Sequence, residues 1–440
     1  MTTPDFYVQN LAALLRCETV SEHGQTDLSK FRAFHGLLKQ TFPHLTAVSE
    51  WEEFDGTLLI RWAGRNKSRL PVLFMNHHDV VPPAGQWSCD PFGGEVRDGK
   101  LYGRGALDTK GGLWAMLQSA DNLAAEGFVP EPDIYFESSC NEETDWAGAK
   151  AVTEILRGRG LRFAYVLDEG GMILYEPIGS AKDTFAMIGM GERGVAELEF
   201  TARGEGGHAS APPCDTPLVR LGKFMAAADT TRLFPAKLSP VICEIFRRLA
   251  PSVRGPLRLV YAHPVLFAPL LKRVMPKLSG TAKALLQTTI AFTMARGSEG
   301  RGILPTEARV IASMRTSHHQ GYEASLAAIT KLADRYDISV TVLDPAHDSY
   351  LSSCDSEWYK LLERAVTHAY PAARPCPYVM TGASDACFLS QLSDCCYHFV
   401  PFRIDDRQLE SIHGVDECVD VATLAPAVEF YTYLMKGGAL

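Results

Sequence analysis

Side chains that can bind a divalent metal ion recur where short apolar runs of the sequence end. His77 and Asp79 follow the run at 71–75, Glu142 and Glu143 follow 133–138, and Asp168 and Glu169 follow 163–167. Runs of this length that alternate with helical patterns are typical of buried parallel strands. The carboxyl ends of parallel strands meet at one edge of a sheet, where functional groups collect. The sequence therefore predicts a cluster of imidazole and carboxylate groups at that edge.

The predicted metal ligands are two imidazoles and three carboxylates: His77, Asp108, Glu143, Asp168 and His413. A mixed nitrogen and oxygen set of this kind suits a pair of zinc ions, and it also accepts cobalt or manganese. Because two dications a few ångströms apart repel each other, one carboxylate must lie between them. Asp108, in the glycine-rich turn 103–112, is the predicted bridge. Such a site lowers the pKa of bound water and polarises a carbonyl group, so we expect metal-dependent hydrolysis.

Further acids lie beside the predicted ligands. Glu142 and Glu143 are adjacent, and we expect one to bind metal while the other moves the proton of the attacking water. Asp79 is two residues from His77, on the same side of an extended chain, and would orient that imidazole. Each feature alone has a simpler explanation, since an acidic pair is usually solvated surface and a single Asp often caps a helix. Their combination favours a catalytic site.

The elements that must position these residues alternate in type along the chain. Strand-like and helix-like stretches alternate over residues 1–190 and again over 347–440, which predicts an α/β catalytic domain with a mostly parallel sheet. Residues 191–346 contain half-solvated strands and helices, which predict an inserted α+β domain. We interpret the helical stretch 230–300 as an expansion of this insertion, and residues 405–411 as a polar loop.

Composition argues against several classes of partner. The chain has 440 residues, too many for one compact core, and its 46% hydrophobic and 22% charged residues are usual in globular proteins. The formal charge of −9 argues against a nucleic-acid partner. We see no apolar run of roughly 18 residues and no secretory signal, so we expect no membrane partner. The eleven scattered cysteines suit a reducing compartment, and we expect a cytoplasmic protein.

Five sequence motifs occur together, in order, over nearly the whole chain. They are His77-x-Asp79-Val80-Val81-Pro82, Gly103-Arg104-Gly105-x-x-Asp108-x-Lys110-Gly111, Glu142-Glu143, Gly207-His208-x-Ser210-x-Pro212 and His413-Gly414-x-x-Glu417. With these motifs the chain resembles the dizinc aminoacylase/carboxypeptidase metallopeptidases. That family includes acetylornithine deacetylase, succinyl-diaminopimelate desuccinylase, glutamate carboxypeptidase, aminoacylase and carnosinase. Segments 168–171 and 208–213 most resemble the subgroup of Gly-X carboxypeptidase and N-acyl-amino-acid hydrolases.

The resemblance implies a role for each acid of the site. It implies the five metal ligands named above, with Glu169 competing with Asp168 for one position. It also implies that Glu142 is the general base and that Asp79 is the acid that orients His77. In relatives the fold is a catalytic domain with an inserted ferredoxin-like lid, which also forms a dimer interface. We therefore expect a homodimer that binds two divalent ions, with zinc the first choice.

Two residues of the inserted domain are implied to contact substrate. His208 would reach the active site of the other protomer and stabilise the oxyanion of the tetrahedral intermediate. Arg315 matches a family arginine that binds the substrate carboxylate, although a surface arginine at a strand end is the simpler interpretation. The chain departs from the family at Gly302-Ile303-Leu304-Pro305, where relatives have Asn-Val-Ile-Pro, and at Thr144–Trp146 and Thr381–Asp385. These departures leave the substrate open.

The expected activity is hydrolysis of an amide or peptide bond in a small substrate with a free carboxylate. A carboxypeptidase or dipeptidase and an N-acyl-amino-acid deacylase of the acetylornithine deacetylase type break the same kind of bond, and the sequence does not separate them. A non-catalytic metal-binding or ligand-binding protein is a remote alternative. It would require the loss of a ligand or of the base, and the sequence keeps all of them.

Overall fold

The computed structural model describes residues 4–177, 181–343 and 347–438. The elements of the first range are α1 (Pro4–Leu15), α2 (Ser29–Thr41), α3 (Pro43–Val48), β1 (Ser49–Phe54), β2 (Thr57–Trp62), β3 (Val72–Met75), β4 (Glu95–Arg97), β5 (Lys100–Tyr102), α4 (Lys110–Ala125), β6 (Ile134–Ser138), α5 (Ala147–Gly158), β7 (Val166–Asp168) and β8 (Ile173–Tyr175).

The second range begins with two long strands and continues through a helical stretch. Its elements are β9 (Thr184–Glu192), β10 (Gly194–Arg203), β11 (Gly207–His208), α6 (Pro217–Thr230), α7 (Pro240–Leu249), α8 (Leu257–Ala262), α9 (Ala268–Leu278), α10 (Gly280–Leu286), β12 (Thr289–Arg296), β13 (Ile303–Leu304), β14 (Glu307–Thr316), α11 (Gly321–Asp334) and β15 (Ile338–Val342).

The third range returns to alternating helices and strands. Its elements are α12 (Glu357–Ala369), β16 (Arg374–Met380), α13 (Ala386–Leu389), β17 (Cys396–His398), β18 (Arg403–Ile404), α14 (Asp406–Ser411), β19 (Cys418–Asp420) and α15 (Val421–Met435). Short 3-10 turns lie at Ala250–Ser252 and Ser390–Leu392.

A ten-stranded sheet forms the larger layer of the molecule. Its strand order is β1-β2-β6-β3-β7-β17-β9-β8-β18, with β16 paired to β9. The central neighbours β6, β3, β7 and β17 pair in parallel, and the antiparallel pairs lie toward the two edges. This arrangement confirms the predicted α/β class.

Both faces of the central strands are covered by helices, as buried parallel sheets require. Phe74 of β3 points to the face where α4 and α15 pack, whereas the adjacent Leu73 points to the face of α5 and α13. Every residue of β3 and β6 is buried. The short apolar runs of the sequence are therefore explained by burial on two sides.

A separate four-stranded antiparallel sheet, in the order β12-β14-β10-β15, has its own core. Along β14 the side chains alternate between buried and more exposed positions, and α6 and α11 pack on the buried face. Strands β11 and β13 form a separate antiparallel pair. In sequence, β11 follows β10, and β13 lies between β12 and β14. These elements have the α+β character that the alternating patterns predict.

From the sequence we interpreted residues 230–300 as an expansion of the inserted domain, but helices α7–α10 of this stretch do not pack on the core of the small sheet. Their buried side chains, which include Phe246, Leu271 and Met275, belong to the core of the large sheet and not to that of the small one. The division into 1–190, 191–346 and 347–440 stays a prediction, and residue 346 itself lies outside the described residues. No helix in the described ranges is both long and apolar enough to span a bilayer.

Candidate metal centre

Three parallel strands bring three of the five predicted ligands to one edge of the large sheet. Strand β3 lies between β6 and β7. His77 and Asp79 follow the end of β3, Glu142 and Glu143 follow β6, and Asp168 is the last residue of β7. Their positions at neighbouring strand ends explain why residues far apart in sequence meet here.

Ligand atoms from four residues form a continuous chain. His77 Nε2 lies 3.0 Å from Asp108 Oδ1, and His413 Nε2 lies 3.0 Å from Asp108 Oδ2 and 3.1 Å from Glu143 Oε2. Atoms of His77, Asp108 and Glu143 all fall within 4.8 Å of one another. Two ligand atoms about 2.1 Å from one tetrahedral zinc ion are roughly 3.4 Å apart. The donor types and their spacing therefore fit divalent metal.

The charges of the site are tightly coupled through Asp108. Burial opposes ionisation of this carboxyl, but hydrogen bonds with His413 and His77 hold its pKa well below the ordinary value. Hydrogen bonds to Asp108 and Glu143 raise the pKa of His413 to about 10. One carboxylate thus faces an imidazole on each side, the arrangement needed for a bridging ligand between two cations.

Asp79 fixes both an imidazole and the loop after β6. The Nδ1 atom of His77 donates to the backbone carbonyl of Asp79 over 2.9 Å, and Asp79 Oδ1 is 3.3 Å away. This bond leaves Nε2 with its lone pair directed at the cluster. The carboxylate of Asp79 also accepts hydrogen bonds from the N–H groups of Glu142 and Glu143, each at 3.1 Å, and from Ser21 Oγ at 2.6 Å.

The two adjacent glutamates have different surroundings. Glu143 contacts His413 through both carboxylate oxygens. Within the described residues, the carboxylate of Glu142 has one long hydrogen bond of 3.4 Å, in which Trp146 Nε1 donates to its Oε1. Burial raises the pKa of Glu142 well above its ordinary value, which is the direction that suits a general base.

The structure separates the two acids that compete at the end of β7. Asp168 accepts hydrogen bonds from Ser384 Oγ at 2.7 Å, from the N–H of Ala386 at 3.1 Å, and from the N–H of Glu169 at 2.8 Å. The carboxylate of Glu169 accepts no hydrogen bond from any described residue. Burial, with Asp108 nearby, raises its pKa well above the ordinary value. Glu169 therefore has the free carboxylate beside the cluster.

Comparison with protein families matches residues 73–437 to the model described as peptidase family M20/M25/M40. The chain belongs to this family. Human N-fatty-acyl-amino acid synthase/hydrolase PM20D1 is 28% identical over 412 residues, covering 92% of this chain and 82% of that protein. Carboxypeptidase S of Saccharomyces cerevisiae is 25% identical over 456 residues, covering 92% and 78%. This chain is thus a metal-dependent hydrolase of amide or peptide bonds, as its motifs imply.

Solved structures of the M20 family share the fold. An M20 family metallo-carboxypeptidase of Sulfolobus solfataricus superposes with a TM-score of 0.73 at 17% identity, covering 98% of each chain. Human carnosine dipeptidase 1 gives a TM-score of 0.66 at 16% identity, covering 98% of this chain and 96% of that one. These likenesses confirm the predicted architecture.

His208 and Arg315 belong to β11 and β14, which are not strands of the large sheet. His208 ends β11 and is exposed, and its Nδ1 accepts a hydrogen bond from the N–H of Ser210. In a neutral imidazole the proton is then on Nε2. Arg315 is half-buried in β14. Among the described residues, neither side chain has a hydrogen bond or ion pair with the cluster, so their roles stay predictions.

A buried ion pair that was assigned no role from the sequence supports the cluster. Glu417, fully buried, accepts hydrogen bonds from Arg104 Nη1 at 2.6 Å and from the N–H groups of Gly105, Leu107 and Asp108 at 2.7 to 3.1 Å. Arg104 Nη2 donates to the carbonyl of Gly414 over 2.7 Å. The pair joins the turn that carries Asp108 to the segment after His413. The sequence signal for this pair was that Arg104 and Glu417 each belong to one of the five motifs.

A second group of buried acids lies behind the ligands and was not identified from the sequence. Burial, together with the neighbouring Asp168, raises the pKa of Asp385 to about 8, and Ser139 donates to its carboxylate. Neither carboxylate oxygen of Glu137 has a hydrogen-bond partner in the described chain. Burial and the nearby Asp385 raise the pKa of Glu137 well above its ordinary value. Burial thus favours the protonated, neutral forms of both acids.

Proposed function

We propose that this enzyme uses two divalent metal ions to hydrolyse the amide bond of a small substrate that carries a free carboxylate. The observation that supports it best is the chain of ligand atoms from His77 through Asp108 to His413 and Glu143, spaced by 3.0 to 3.1 Å. Glu169 is the ligand that we propose at the fifth position, because Asp168 is occupied by hydrogen bonds. Zinc is the proposed metal, with cobalt or manganese as alternatives.

Bound metal would supply an activated water and polarise the scissile carbonyl group. The chain's own contribution is to position groups and move protons. Asp79 holds His77 in the tautomer that binds metal and holds the loop of Glu142 against the cluster. Glu142, which keeps a carboxylate without a strong partner, takes the proton from the attacking water and returns it to the leaving amine. Glu169, whose carboxylate accepts no hydrogen bond from the described residues, is the proposed metal ligand, which leaves Glu142 to move the proton.

Two arginines support recognition of a substrate carboxylate. Arg315 makes no ion pair within the described residues. Arg193 is 5% exposed and donates to neutral acceptors, namely the carbonyl of Gln287, Thr289 Oγ1 and the carbonyl of Arg315. Burial, and the charge of Arg315, lower the pKa of Arg193 to about 10. Two guanidinium groups without a carboxylate partner favour an anion between the large sheet and the small one.

The substrate class that we favour is an N-acyl amino acid, with a dipeptide as the second candidate. The relatives named above carry both chemistries in their names, as an N-fatty-acyl-amino acid hydrolase and a carboxypeptidase. Both kinds of substrate end in a carboxylate that Arg315 could bind. Hydrolysis of a panel of N-acyl amino acids and dipeptides of matched side chain separates the two.

We further propose a homodimer formed through residues 191–346, in which His208 of one protomer serves the site of its partner. The exposed position of His208, with its Nδ1 occupied by Ser210, supports this proposal. Mixing Glu142→Ala with His208→Ala protomers should restore part of the activity, because each hybrid dimer contains one intact site. A mixture as inactive as its parents would contradict a role across the interface. A cytoplasmic location is also proposed, since all eleven cysteines are free thiols.

The decisive variant for the hydrolytic proposal is Glu142→Gln. We expect kcat to fall by about 10² to 10⁴, the usual contribution of a general base, with metal content unchanged. Glu154→Gln, on the exposed part of α5, is the matched control and should leave kcat unchanged. Normal turnover by Glu142→Gln would refute its assignment as the base.

A further inference from the structure

One segment of the chain has a charge opposite to that of the rest. Residues 245–298 contain nine lysines and arginines and no aspartate or glutamate. The remainder has 34 cationic and 52 acidic residues, so that the net charge of −9 conceals a strongly cationic segment. Helices α8, α9 and α10 lie in this segment.

The same segment exposes large apolar side chains. The exposed fractions are 74% for Leu266, 51% for Leu270, 40% for Val274 and 72% for Leu278. These four residues follow at intervals of four, so they form one stripe along α9 and the turn before it. Leu257, Leu259 and Val265 are also exposed, at 41 to 64%. Monomeric proteins rarely leave this many neighbouring aliphatic side chains in water.

Unpaired cations border the apolar stripe. Arg254, Arg258, Lys272, Arg273 and Lys277 are exposed. None of them makes an ion pair with another residue in the described ranges. Arg273 and Lys277 lie on the same side of α9 as the stripe, at helical spacing from Leu270 and Val274. We call the surface formed by these five cations and seven apolar residues the cationic face.

The cationic face is held on an ordered scaffold. On the opposite side of α9, Leu271 and Met275 are buried in the core of the large sheet, and so is Tyr261 of α8. In addition, Arg248 of α7 forms an ion pair with Glu363 of α12. The exposed leucines are therefore a surface of the folded protein, since the buried positions of the same helices already anchor them.

We propose that the cationic face binds the surface of an anionic lipid bilayer. An amphipathic helix with cations beside an exposed apolar stripe is the pattern of proteins that lie in the membrane interface. A second copy of this chain docked on the cationic face would bring five unpaired cations against the same five, which is unfavourable, so we assign the proposed homodimer to the small sheet of residues 191–346 and not to this face. Nucleic acid would neutralise the cations but leave the aliphatic stripe exposed. The proposal is independent of the proposed hydrolytic function and revises the expectation of no membrane partner, which considered only spanning segments.

The experiment is flotation of the full chain with vesicles of phosphatidylcholine alone, or with about 30% phosphatidylserine. We expect binding to the anionic vesicles only, reduced in about 0.5 M salt. The triple variant Lys272→Glu, Arg273→Glu, Lys277→Glu should bind at least about a hundredfold more weakly, because each cation near an anionic surface contributes roughly fivefold.

Matched variants distinguish the contribution of charge to vesicle binding from that of apolar contact, and both from a loss of folding. Reversal of three exposed lysines elsewhere, Lys39, Lys331 and Lys360, changes the net charge equally and should leave most of the binding. Leu266→Ser with Leu270→Ser should weaken binding to vesicles but not any binding to a random DNA duplex. Circular dichroism checks that each variant is folded.

Three results would overturn the proposal. The first is no binding of the wild-type chain to anionic vesicles at low salt. The second is equal loss of binding in the two triple variants, which would indicate net charge and not the cationic face. The third is a concentration-dependent dimer that is lost in the leucine variants while vesicle binding persists, which would assign the stripe to a second copy.

Discussion

The buried pair Arg104–Glu417 gives the sharpest prediction about how the fold supports the site. Both side chains are at most 1% exposed, and the carboxylate also accepts three backbone hydrogen bonds from the turn that carries Asp108. Removing one partner of a buried ion pair costs about 3–5 kcal/mol, because the other charge is left uncompensated. We therefore expect Glu417→Gln to lower the free energy of unfolding by this amount.

The assay is urea unfolding of the metal-free chain followed by circular dichroism, so that loss of metal does not contribute. Asp394→Asn is the control, since it breaks an exposed pair with Arg162 and should cost less than about 1 kcal/mol. The double variant Arg104→Met, Glu417→Gln should cost less than the sum of the two single variants. If Glu417→Gln costs less than about 1 kcal/mol at an unchanged m value, the pair does not hold the turn as we argue.

Other predictions concern the site and the small sheet. Arg315→Gln should raise KM about tenfold or more for a substrate with a free carboxylate and leave KM unchanged for the matching carboxamide, and equal effects on both would contradict carboxylate binding. Glu169→Gln should lower the bound metal, whereas Asp168→Asn should keep the metal and lower the unfolding midpoint, as judged by metal analysis and thermal unfolding. Burial lowers the pKa of His318 to about 4. A histidine in the unfolded chain has a pKa of about 6.5, so the unfolded chain binds more protons than the folded one between pH 6.5 and 4, and the free energy of unfolding should fall by about 2–3 kcal/mol as the pH is lowered across this range. His318→Gln should flatten this dependence in urea titrations at several pH values, and the exposed His23→Gln should not.

The strands and the residues that follow them were predictable because burial leaves a local signal. Leu73 and Phe74 belong to an uninterrupted apolar run since helices cover both faces of β3. The position of His77 and Asp79 after that run follows from the same pattern. The alternation along β14 likewise reports one covered face.

Features that depend on distant partners were not predictable. Asp168 and Glu169 are adjacent acids, and hydrogen bonds from Ser384 and Ala386, 216 and 218 residues away in sequence, distinguish them. The segment 405–411 was predicted to be a loop because it is polar, but it forms α14. Its reciprocal capping box between Asp405 and Gln408 satisfies the first turn.

The packing of residues 230–300 was also beyond the sequence pattern. The sequence of an amphipathic helix such as α7 indicates that one of its faces is buried. It does not indicate which hydrophobic core covers that face. The structure packs Phe246 and Met275 with the large sheet, although these residues lie between segments of the small one. Helix α9 additionally exposes an apolar stripe, which in the sequence is indistinguishable from core.

The measurement that tests the central claim most directly is the metal content of the chain after dialysis against zinc, with hydrolysis of N-acyl amino acids assayed on the same sample. We predict about two zinc ions per chain, with both metal and activity removed by a chelator and restored by zinc. Asp108→Asn should bind less metal and lose activity. A wild-type chain that retains no metal after reconstitution, or that hydrolyses substrate equally well in the chelator, would contradict the account.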